Sequence, residues 1–565
     1  MVIKAHKKQA LKSLFITLLI LIVVNIISNY LFKRLDLTHD KRYTLSKTTL
    51  NLISQVNEPL TFNVYLEGNF PPEFKKLQNE TKQLLEEFSA YNNYIQFTFT
   101  NPLENTEKDR VSIMKDLYAQ GLQPLNITVE EKGKKSQEVV FPWATATYKN
   151  KSTKIGLLKN FMGASTEQKV VSSVQHLEYA FAEAINKIVK DKQKSIAVLK
   201  GNGQINDIYI ADFLKTIRES YFIAPFTLDS VETNSNKTLN ELKKYDLAIV
   251  AKPTIAFTDK EKQVIDQYIM NGGKTLWLVD GVSAELDSLY NESGSIVGFA
   301  KELNLTDMFF KYGLRINPLL IKDEYATPIK LASGNKGSET QYENYIWKFS
   351  PFTYPSTTHP IVKNIEGVKF EFASPIEILK NNTKKTVLLS SSQYSKTVGT
   401  PVPISLSLVT EETSPKDYEG KGLLPMAILV EGKFNSVFQN RILPFKDDKF
   451  LQTSEQNKMI IISDGDVIKN QTENGVPLEL GYDKWTNNFY GNKEFLLNCT
   501  NFLLDDKGLI NLRTKEVNLP LLNKQKVYEN YTFIQIIVII IPLLIIFLFW
   551  FIYKYLHKKY YSNNC

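Results

Sequence analysis

Carboxylates follow two of the most apolar segments of the chain. Asp280-Gly281 comes directly after residues 274–279 (KTLWLV), and Asp464-Gly465-Asp466 comes after residues 459–463 (MIIIS). Short apolar runs bounded by turn residues are typical of buried strands. Acidic side chains at strand ends could bind a polar ligand or serve a hydrolase in acid–base chemistry. These residues are therefore the first candidates for a functional site.

A binding crevice is the kind of site that these positions favour. In an open parallel sheet, the ligand crevice lies outside the carboxyl ends of the strands. Gly201 and Asn202 follow another predicted strand, residues 195–199 (SIAVL). The predicted ligand-binding crevice is lined by Gly201, Asn202, Asp280 and Asp464. Turn formation is the alternative, because Asp-Gly is a favoured turn pair. The acids have no obvious base or nucleophile partner, which argues against an enzyme.

Motifs for cofactor or metal chemistry are missing from the sequence. H-E-x-x-H, C-x-x-C and G-x-S-x-G do not occur. Gly201-Asn202-Gly203 begins like a dinucleotide fingerprint, but Asn206 stands at the third glycine position. Gly273-Lys274-Thr275 resembles the end of a phosphate loop, but Tyr268 stands where the first glycine is needed. The five histidines are far apart in sequence or lie near the chain ends. We therefore expect no cofactor and no metal site.

Strands and helices alternate over residues 194–505, which predicts a doubly wound α/β domain. Thr258 and Glu261 form a capping box ahead of a helix over residues 259–270 that ends near Gly272-Gly273. Apolar strand-like runs lie on both sides of this helix, and residues 493–504 are predicted to form a closing helix. Residues from about 286 to 368 are polar and aromatic, and we expect them to be an insertion in this domain.

A thioredoxin-like domain is predicted over residues 44–190. Its pattern is a strand at 60–66, a helix opened by Pro71-Pro72, a strand at 95–100, a further helix, two hairpins and a last helix at 168–189. A redox dithiol is absent, because the two cysteines are Cys499 and Cys565. The domain is therefore expected to be structural or to bind a partner.

Two uncharged apolar segments, residues 13–32 and 530–553, are each long enough to span a bilayer as a helix. The first is longer than a signal-peptide core and lacks an A-x-A site, which favours a retained anchor. Four lysines in residues 1–12 and three in residues 554–565 supply seven of the eight net positive charges. The positive-inside rule then predicts two cytoplasmic tails and a nearly neutral body on the other side of the membrane. This charge distribution does not indicate nucleic-acid binding.

The order of several segments resembles a known family. These are RYTLSKTTLNLI after the first apolar segment, VLKGNGQ, WLVDGVSAELD, IIISDGDVIKN and the second apolar segment. Together they resemble the GldG family, the gliding-motility-associated auxiliary components of ABC transporters in Bacteroidota, often described as substrate-binding components. The resemblance implies an α/β part of flavodoxin-like or amidotransferase-like fold. It also implies an inner-membrane protein with a periplasmic body.

The partners implied by the resemblance are a permease subunit of the GldF type and an ATPase subunit of the GldA type. Membrane lipid and envelope or gliding-machinery proteins would be further partners. The leading functional prediction is a non-catalytic auxiliary subunit that scaffolds or couples such a complex for gliding motility. The alternatives are a periplasmic receptor for a carbohydrate or peptide in the α/β crevice, and a membrane-bound hydrolase that uses the strand-end acids.

Overall fold

The computed structural model describes residues 2–30, 36, 38, 40–68, 70–104, 107–131, 134–159, 161–353, 355, 357–505, 507–515 and 524–561. The chain divides into two compact units, Met1–Glu516 and Val517–Cys565. The first elements of the larger unit are helices α1 Val2–Tyr30, α2 Lys47–Ile53, α3 Pro72–Tyr91, α4 Glu107–Ala119 and α5 Thr166–Val189, and strands β1 Leu60–Val64, β2 Ile95–Phe99, β3 Leu125–Glu131, β4 Lys134–Val140, β5 Trp143–Tyr148 and β6 Lys151–Gly156.

A four-stranded sheet with the order β2-β1-β5-β6 forms the first part of the body. Strands β1 and β2 are parallel and are connected through α3, whereas β5 and β6 continue the sheet as an antiparallel hairpin. Phe62 of β1 and Phe88 of α3 make edge-on ring contacts with Phe181 of α5, at centroid distances of 5.2 and 6.3 Å. Helix α5 begins at a capping box of Ser165 and Gln168. The strand–helix–strand–hairpin order is as predicted, and the thioredoxin-like assignment stays a prediction.

The remaining elements begin at residue 195. The helices are α6 Ala211–Arg218, α7 Val231–Leu242, α8 Asp259–Met270, α9 Thr306–Tyr312, α10 Asn492–Leu504, α11 Lys524–Glu529 and α12 Tyr531–Tyr561. The strands are β7 Ser195–Lys200, β8 Phe222–Thr227, β9 Leu247–Ala251, β10 Lys274–Leu278, β11 Val282–Ser283, β12 Ser295–Ala300, β13 Leu314–Ile316, β14 Leu319–Asp323, β15 Ala326–Lys336, β16 Glu339–Thr353, β17 Val368–Lys369, β18 Ile376–Ile378, β19 Lys384–Ser390, β20 Ser395–Gly399, β21 Val402–Ser405, β22 Pro425–Asn435, β23 Thr453–Ile462, β24 Thr472–Glu473, β25 Val476–Pro477, β26 Tyr482–Asp483 and β27 Asn488–Phe489.

A seven-stranded sheet with the order β19-β22-β23-β10-β9-β7-β8 is the centre of the second part. The five strands from β23 to β8 are parallel to one another, and β22 pairs antiparallel with β23 and β19. Alternate residues of each strand belong to different cores: Val198 and Leu276 pack on the α10 side, and Leu199 and Trp277 pack on the α8 side. Burial on both faces explains why these strands are almost wholly apolar.

Strand β8 was not predicted from the sequence. It contains Pro225, and a proline inside a run argues against a strand because it cannot donate a ladder hydrogen bond. The structure accommodates Pro225 because β8 lies at the edge of the sheet and, within the described part of the chain, pairs with β7 alone. Helix α8, by contrast, begins at the predicted capping box, in which Thr258 accepts from the Glu261 backbone N–H.

Residues 282–405, which include the stretch predicted as an insertion, form several small antiparallel sheets with a core of their own, apart from β19, which belongs to the seven-stranded sheet. Trp347, Phe349 and Phe372 pack together there with ring centroids 5.5 to 6.2 Å apart. The longest pair is the β15–β16 hairpin, whose outer half is exposed on both strands. This exposure explains the polar and aromatic composition of the stretch.

A charged network joins α5 to the end of the body. Arg513 donates to Glu494 of α10 at 2.8 Å, and the Lys159 ammonium contacts the same carboxylate oxygen. The Arg513 guanidinium lies 5.1 Å from the ring centroid of Tyr179 and 3.5 Å from His176 Nδ1. Burial lowers the pKa of Lys159 to about 8, although Glu494 partly offsets it. Burial and the charges of Lys159 and Arg513 hold the pKa of His176 well below its usual value.

Helix α12 is long and apolar enough to cross a membrane, over Tyr531–Lys559, and its apolar side chains are exposed. Pro542 lies inside it, which spanning helices tolerate better than soluble ones. The first predicted span falls on α1. Among the described residues, the apolar stretch of α1 is Lys12–Ile26, which is shorter than a membrane-crossing helix requires. Residues 31 and 32 of that predicted span lie outside the described residues.

Candidate functional site

Three neighbouring strands of the seven-stranded sheet end in charged residues that meet at one edge. Strand β9 is followed by Lys252, β10 leads to Asp280, and β23 leads to Asp464 and Asp466. Carboxylate oxygens of the three aspartates lie within 4.8 Å of one another. Asp280 is 5% exposed and Asp464 is fully buried. Parallel strand ends thus bring two of the predicted crevice residues together, as expected for this sheet type.

Lys252 supplies positive charge to this cluster. Its ammonium lies 2.5 Å from Asp466 Oδ1 and 2.8 Å from Glu285 Oε1, and its side chain is only 6% exposed. Burial lowers the pKa of Lys252, but the carboxylates of Asp466, Asp280 and Glu285 outweigh it and hold the pKa above its ordinary value. Lys252 also has a left-handed backbone, with φ of 51°. The side chain that neutralises the cluster therefore comes from the strand next to the acids.

Both carboxylate oxygens of Asp280 accept a hydrogen bond. Lys301 donates to its Oδ2 at 2.8 Å, and the backbone N–H of Gly465 donates to its Oδ1 at 2.5 Å. A Cβ on Gly465 would lie 2.4 Å from Lys252 Cγ and 3.0 Å from Asp280 Oδ1. Glycine at position 465 is therefore needed for close approach of the two strand ends.

Asp464 accepts two backbone hydrogen bonds, from Glu371 N at 2.5 Å and from Asp466 N at 2.7 Å. Burial, together with the negative charges of Asp466 and Asp280, raises the pKa of Asp464 well above its usual value. The residue thus ties the segment at Glu371 to the end of β23.

Gly201 and Asn202 have a different environment. Asn202 is buried, and its Nδ2 donates to Glu261 at the start of α8, at 3.1 Å. Its backbone N–H donates to the side chain of Gln204 at 2.8 Å. Gly201 has φ of 111°, and a Cβ there would lie 2.9 Å from Asp229 Oδ1. Within the described part of the chain, no hydrogen bond or ion pair joins these two residues to the acids.

The cluster is a closed ion network rather than an open crevice. Three adjacent carboxylates have the donor chemistry for a divalent cation, but here lysine ammonium groups and backbone N–H groups bond to them. Asp280 and Asp464 do not line the neighbouring cavity, whereas Asp466 does. As ligand contacts, Gly201, Asn202, Asp280 and Asp464 stay a prediction.

A cavity of about 290 Å³ lies beside the cluster, and sequence reasoning did not find it. Its polar wall includes Lys369, Glu371 and Asp483, whose charged atoms pair at 3.8 Å. Burial raises the pKa of Glu371 to about 7, and Lys369 offsets this only in part. These residues come from short strands and loops with weak sequence patterns. Trp485 also lines the cavity and is exposed, but exposure is a property of the folded chain and gives no signal in the sequence.

Together, the mixed α/β body and the apolar C-terminal helix define an α/β protein with, among the residues that the structure describes, one helix that can cross a membrane. The family model described as "ABC-type uncharacterized transport system" matches residues 193–499, more than half of the chain. The chain belongs to this family of ABC-type transport auxiliary components. A second model, described as a domain of unknown function, matches residues 39–147.

Two further proteins are similar to this chain. An uncharacterized protein of Borreliella burgdorferi is 23% identical over 548 residues, which cover 94% of this chain and 95% of that protein. The solved structure titled "mmIFT52 N-terminal domain" matches with a TM-score of 0.32 at 12% identity, and the match covers 55% of this chain and 99% of that one.

Proposed function

We propose that this chain is a non-catalytic, doubly anchored auxiliary subunit of an ABC-type transport complex, of the GldG type. In this proposal both termini are cytoplasmic, and the body lies in the periplasm. There it scaffolds or couples the complex for gliding motility. The family match supports the transport role. ATP hydrolysis then belongs to an ATPase subunit, because this sequence lacks a phosphate loop.

The observation that carries the proposal is where the chain enters and leaves the body. Glu178 of α5 accepts from Ser46 N at 2.8 Å and from Thr49 Oγ1 at 2.7 Å, just after the chain enters. The same carboxylate accepts from Lys515 Nζ at 2.7 Å, just before the chain leaves. Lys515 also donates to the carbonyl oxygens of Arg42 and Thr44, both at 3.0 Å.

One buried carboxylate therefore holds both ends of the body at a single point. The two ends of a domain are often close together. Two neighbouring membrane helices need such closeness, because both tethers must reach the same membrane surface. The closeness of the two chain ends supports the two-anchor topology that the charged tails predict.

Cysteine labelling tests this topology. In a Cys565→Ser background the remaining Cys499 is buried and should be silent. We expect Ser333→Cys, on the exposed β15–β16 hairpin, to react with a membrane-impermeant maleimide in spheroplasts. Lys559→Cys should react only after the membrane is permeabilised. Labelling of Lys559→Cys in intact spheroplasts would contradict the proposal.

Partner capture tests the transport role. Tagged full-length chain, purified from native membranes in mild detergent, should carry along a permease subunit and an ATPase subunit of the GldF and GldA types. Recovery of the chain alone at several detergent strengths would count against the role. Deletion of the gene in a gliding host should abolish gliding, and the full-length chain should restore it.

A periplasmic ligand receptor is the second candidate function. The cavity beside the ion network favours it, because small-molecule sites are concave and combine apolar walls with a few placed polar groups. The cavity lies at the edge of the sheet where the sequence predicted a ligand crevice, although its lining residues differ from the predicted ones. Direct ligand titration with the full-length protein, described below, tests this role.

A further inference from the structure

Two charged groups on the wall of the 290 Å³ cavity, the Lys369 ammonium and the Glu371 carboxylate, have no hydrogen-bond partner in the described protein. Lys369 Nζ lies 3.8 Å from Glu371 Oε2 and 3.8 Å from Asp483 Oδ2. Both separations are longer than a hydrogen bond. The side chains are nevertheless largely buried, with 17%, 12% and 7% exposure for Lys369, Glu371 and Asp483. Groups at such spacing are commonly bridged by an oxygen atom between them.

The charges on the cavity wall are balanced. Four lysines and four acidic residues line it. Lys469 also lies between two acids, since its ammonium donates to Asp287 Oδ2 at 3.2 Å and lies 3.8 Å from Asp466 Oδ1. A ligand with net charge would lie within a few ångströms of a wall charge of the same sign and would be repelled by it. A ligand without net charge therefore fits this wall best.

Hydroxyl groups match the paired charges better than a zwitterion does. A hydroxyl can accept from an ammonium and donate to the neighbouring carboxylate at the same time. It can therefore bridge Lys369 and Glu371 without breaking their attraction. An amino acid or peptide terminus would have to compete with each pair for its partner.

Aromatic side chains complete the cavity. Trp485, Tyr290 and Tyr209 line it and are 61%, 57% and 39% exposed. Exposed apolar groups gathered in one place and rimmed by polar residues mark ligand-binding grooves or other interaction sites. Their flat apolar faces suit a ring that carries C–H groups on one side and hydroxyl groups at its edge.

We propose that this cavity binds a neutral saccharide of one or two rings. Its hydroxyl groups bridge Lys369 to Glu371 and Asp483, and a sugar face packs on Trp485. The volume lies at the lower end of small-molecule sites, roughly 300–1,000 Å³, which limits the ligand to this size. The inference rests on the receptor role and is independent of the two-anchor topology.

Isothermal titration calorimetry with the full-length protein in detergent tests the proposal. The probes are glucose, galactose, N-acetylglucosamine, maltose and cellobiose, with glucose 6-phosphate, glutamate and trialanine as charged or peptide comparators. We expect at least one neutral sugar to bind. Trp485→Ala should weaken that binding about tenfold, and Glu371→Gln should weaken it by on the order of tenfold.

Matched variants outside the cavity separate lost binding from lost folding. Tyr91→Ala removes an exposed aromatic ring on α3, and Glu377→Gln neutralises an exposed carboxylate on β18. Both should bind sugar like the unmodified protein. Circular dichroism spectra should agree among all four variants.

Each other outcome overturns the proposal. Sugar binding that Trp485→Ala and Glu371→Gln leave unchanged would place the site elsewhere. Binding of a charged comparator or trialanine alone, lost in the same variants, would keep the receptor role and reject the saccharide class. Absence of binding by every probe would reject both the saccharide and the receptor role. Partner capture with the Trp485→Ala variant tests the transport role separately, since this variant should still recover the permease and ATPase subunits.

Discussion

The Lys252 ammonium lies 2.5 Å from the Asp466 carboxylate, where the ends of two strands of one sheet meet. The pair is nearly closed to solvent, since its side chains are 6% and 7% exposed. Removal of one partner from a buried pair leaves an uncompensated charge, which costs far more than the loss of a surface pair. Removal of a single member of the ion network should therefore destabilise the seven-stranded sheet.

Replacing Lys252 by methionine should destabilise the body by about 3–5 kcal/mol, because Asp466 and Glu285 lose their buried counter-charge. Urea unfolding of the full-length protein, followed by tryptophan fluorescence, measures the change. The exposed pair of Lys433 and Glu455 at 3.2 Å gives the control, and Lys433→Met should cost less than about 1 kcal/mol. Adding Asp466→Asn to Lys252→Met should restore part of the loss, and no restoration would contradict the pairing.

Gly465 tests the close packing of the strand ends. Gly465→Ala should cost about 1–3 kcal/mol, because the new methyl group would lie 2.4 Å from Lys252 Cγ, and the Lys252 ion pairs prevent that side chain from moving aside. Gly399→Ala is the matched control, since no atom lies within 4 Å of its Cβ position and its change should stay within about 0.5 kcal/mol. Equal urea unfolding midpoints for the two variants would show that the cluster accommodates the added methyl group without loss of stability.

The parts of the fold predicted from sequence are those with strong local signals. Helix α8 was found because Thr258 and Glu261 cap it through bonds within four residues. The meeting of Asp280 with Asp464 followed from a topological rule, since parallel strand ends share one edge. Strand β8 was missed because Pro225 argues against a strand unless it lies at a sheet edge, and edge position is a property of the whole fold.

The candidate site was predicted less completely, for a physical reason. Lys301 and Glu285 reach the cluster from loops, and their pairing depends on the packed structure rather than on any local pattern. Buried lysines are rare, so a lysine at the end of β9 was expected to be exposed, and Lys252 was not identified as a candidate. The same strand-end rule that found the acids could have found it. Gly201 and Asn202 follow that rule in sequence, but the hydrogen bonds that Asn202 donates go to Gln204 and Glu261.

His176 should make the body sensitive to acid. Its pKa is held below the ordinary value of 6.5, by burial and by the charges of Lys159 and Arg513. The unfolded chain therefore takes up a proton near pH 6.5 that the folded protein does not, and stability falls as the pH drops below 6.5. Urea midpoints of the native protein and of His176→Asn should therefore converge between pH 8 and pH 5.5. A constant difference between them over this range would refute the prediction.

Glu178 should control whether the two ends of the body stay together. Glu178→Gln should cost about 2–3 kcal/mol, because the Lys515 ammonium loses its ionic partner and Ser46 N loses a charged acceptor. Its more specific effect is local. In the unmodified protein Lys515 donates to the carbonyl oxygen of Arg42, so trypsin should cut faster after Arg42 in the variant. Glu167→Gln removes an exposed acid from the first turn of the same helix and should cost under about 1 kcal/mol without faster cleavage. If cleavage after Arg42 is equally slow in both variants, Lys515 does not fasten the entry segment, and the structural support for two neighbouring anchors is lost.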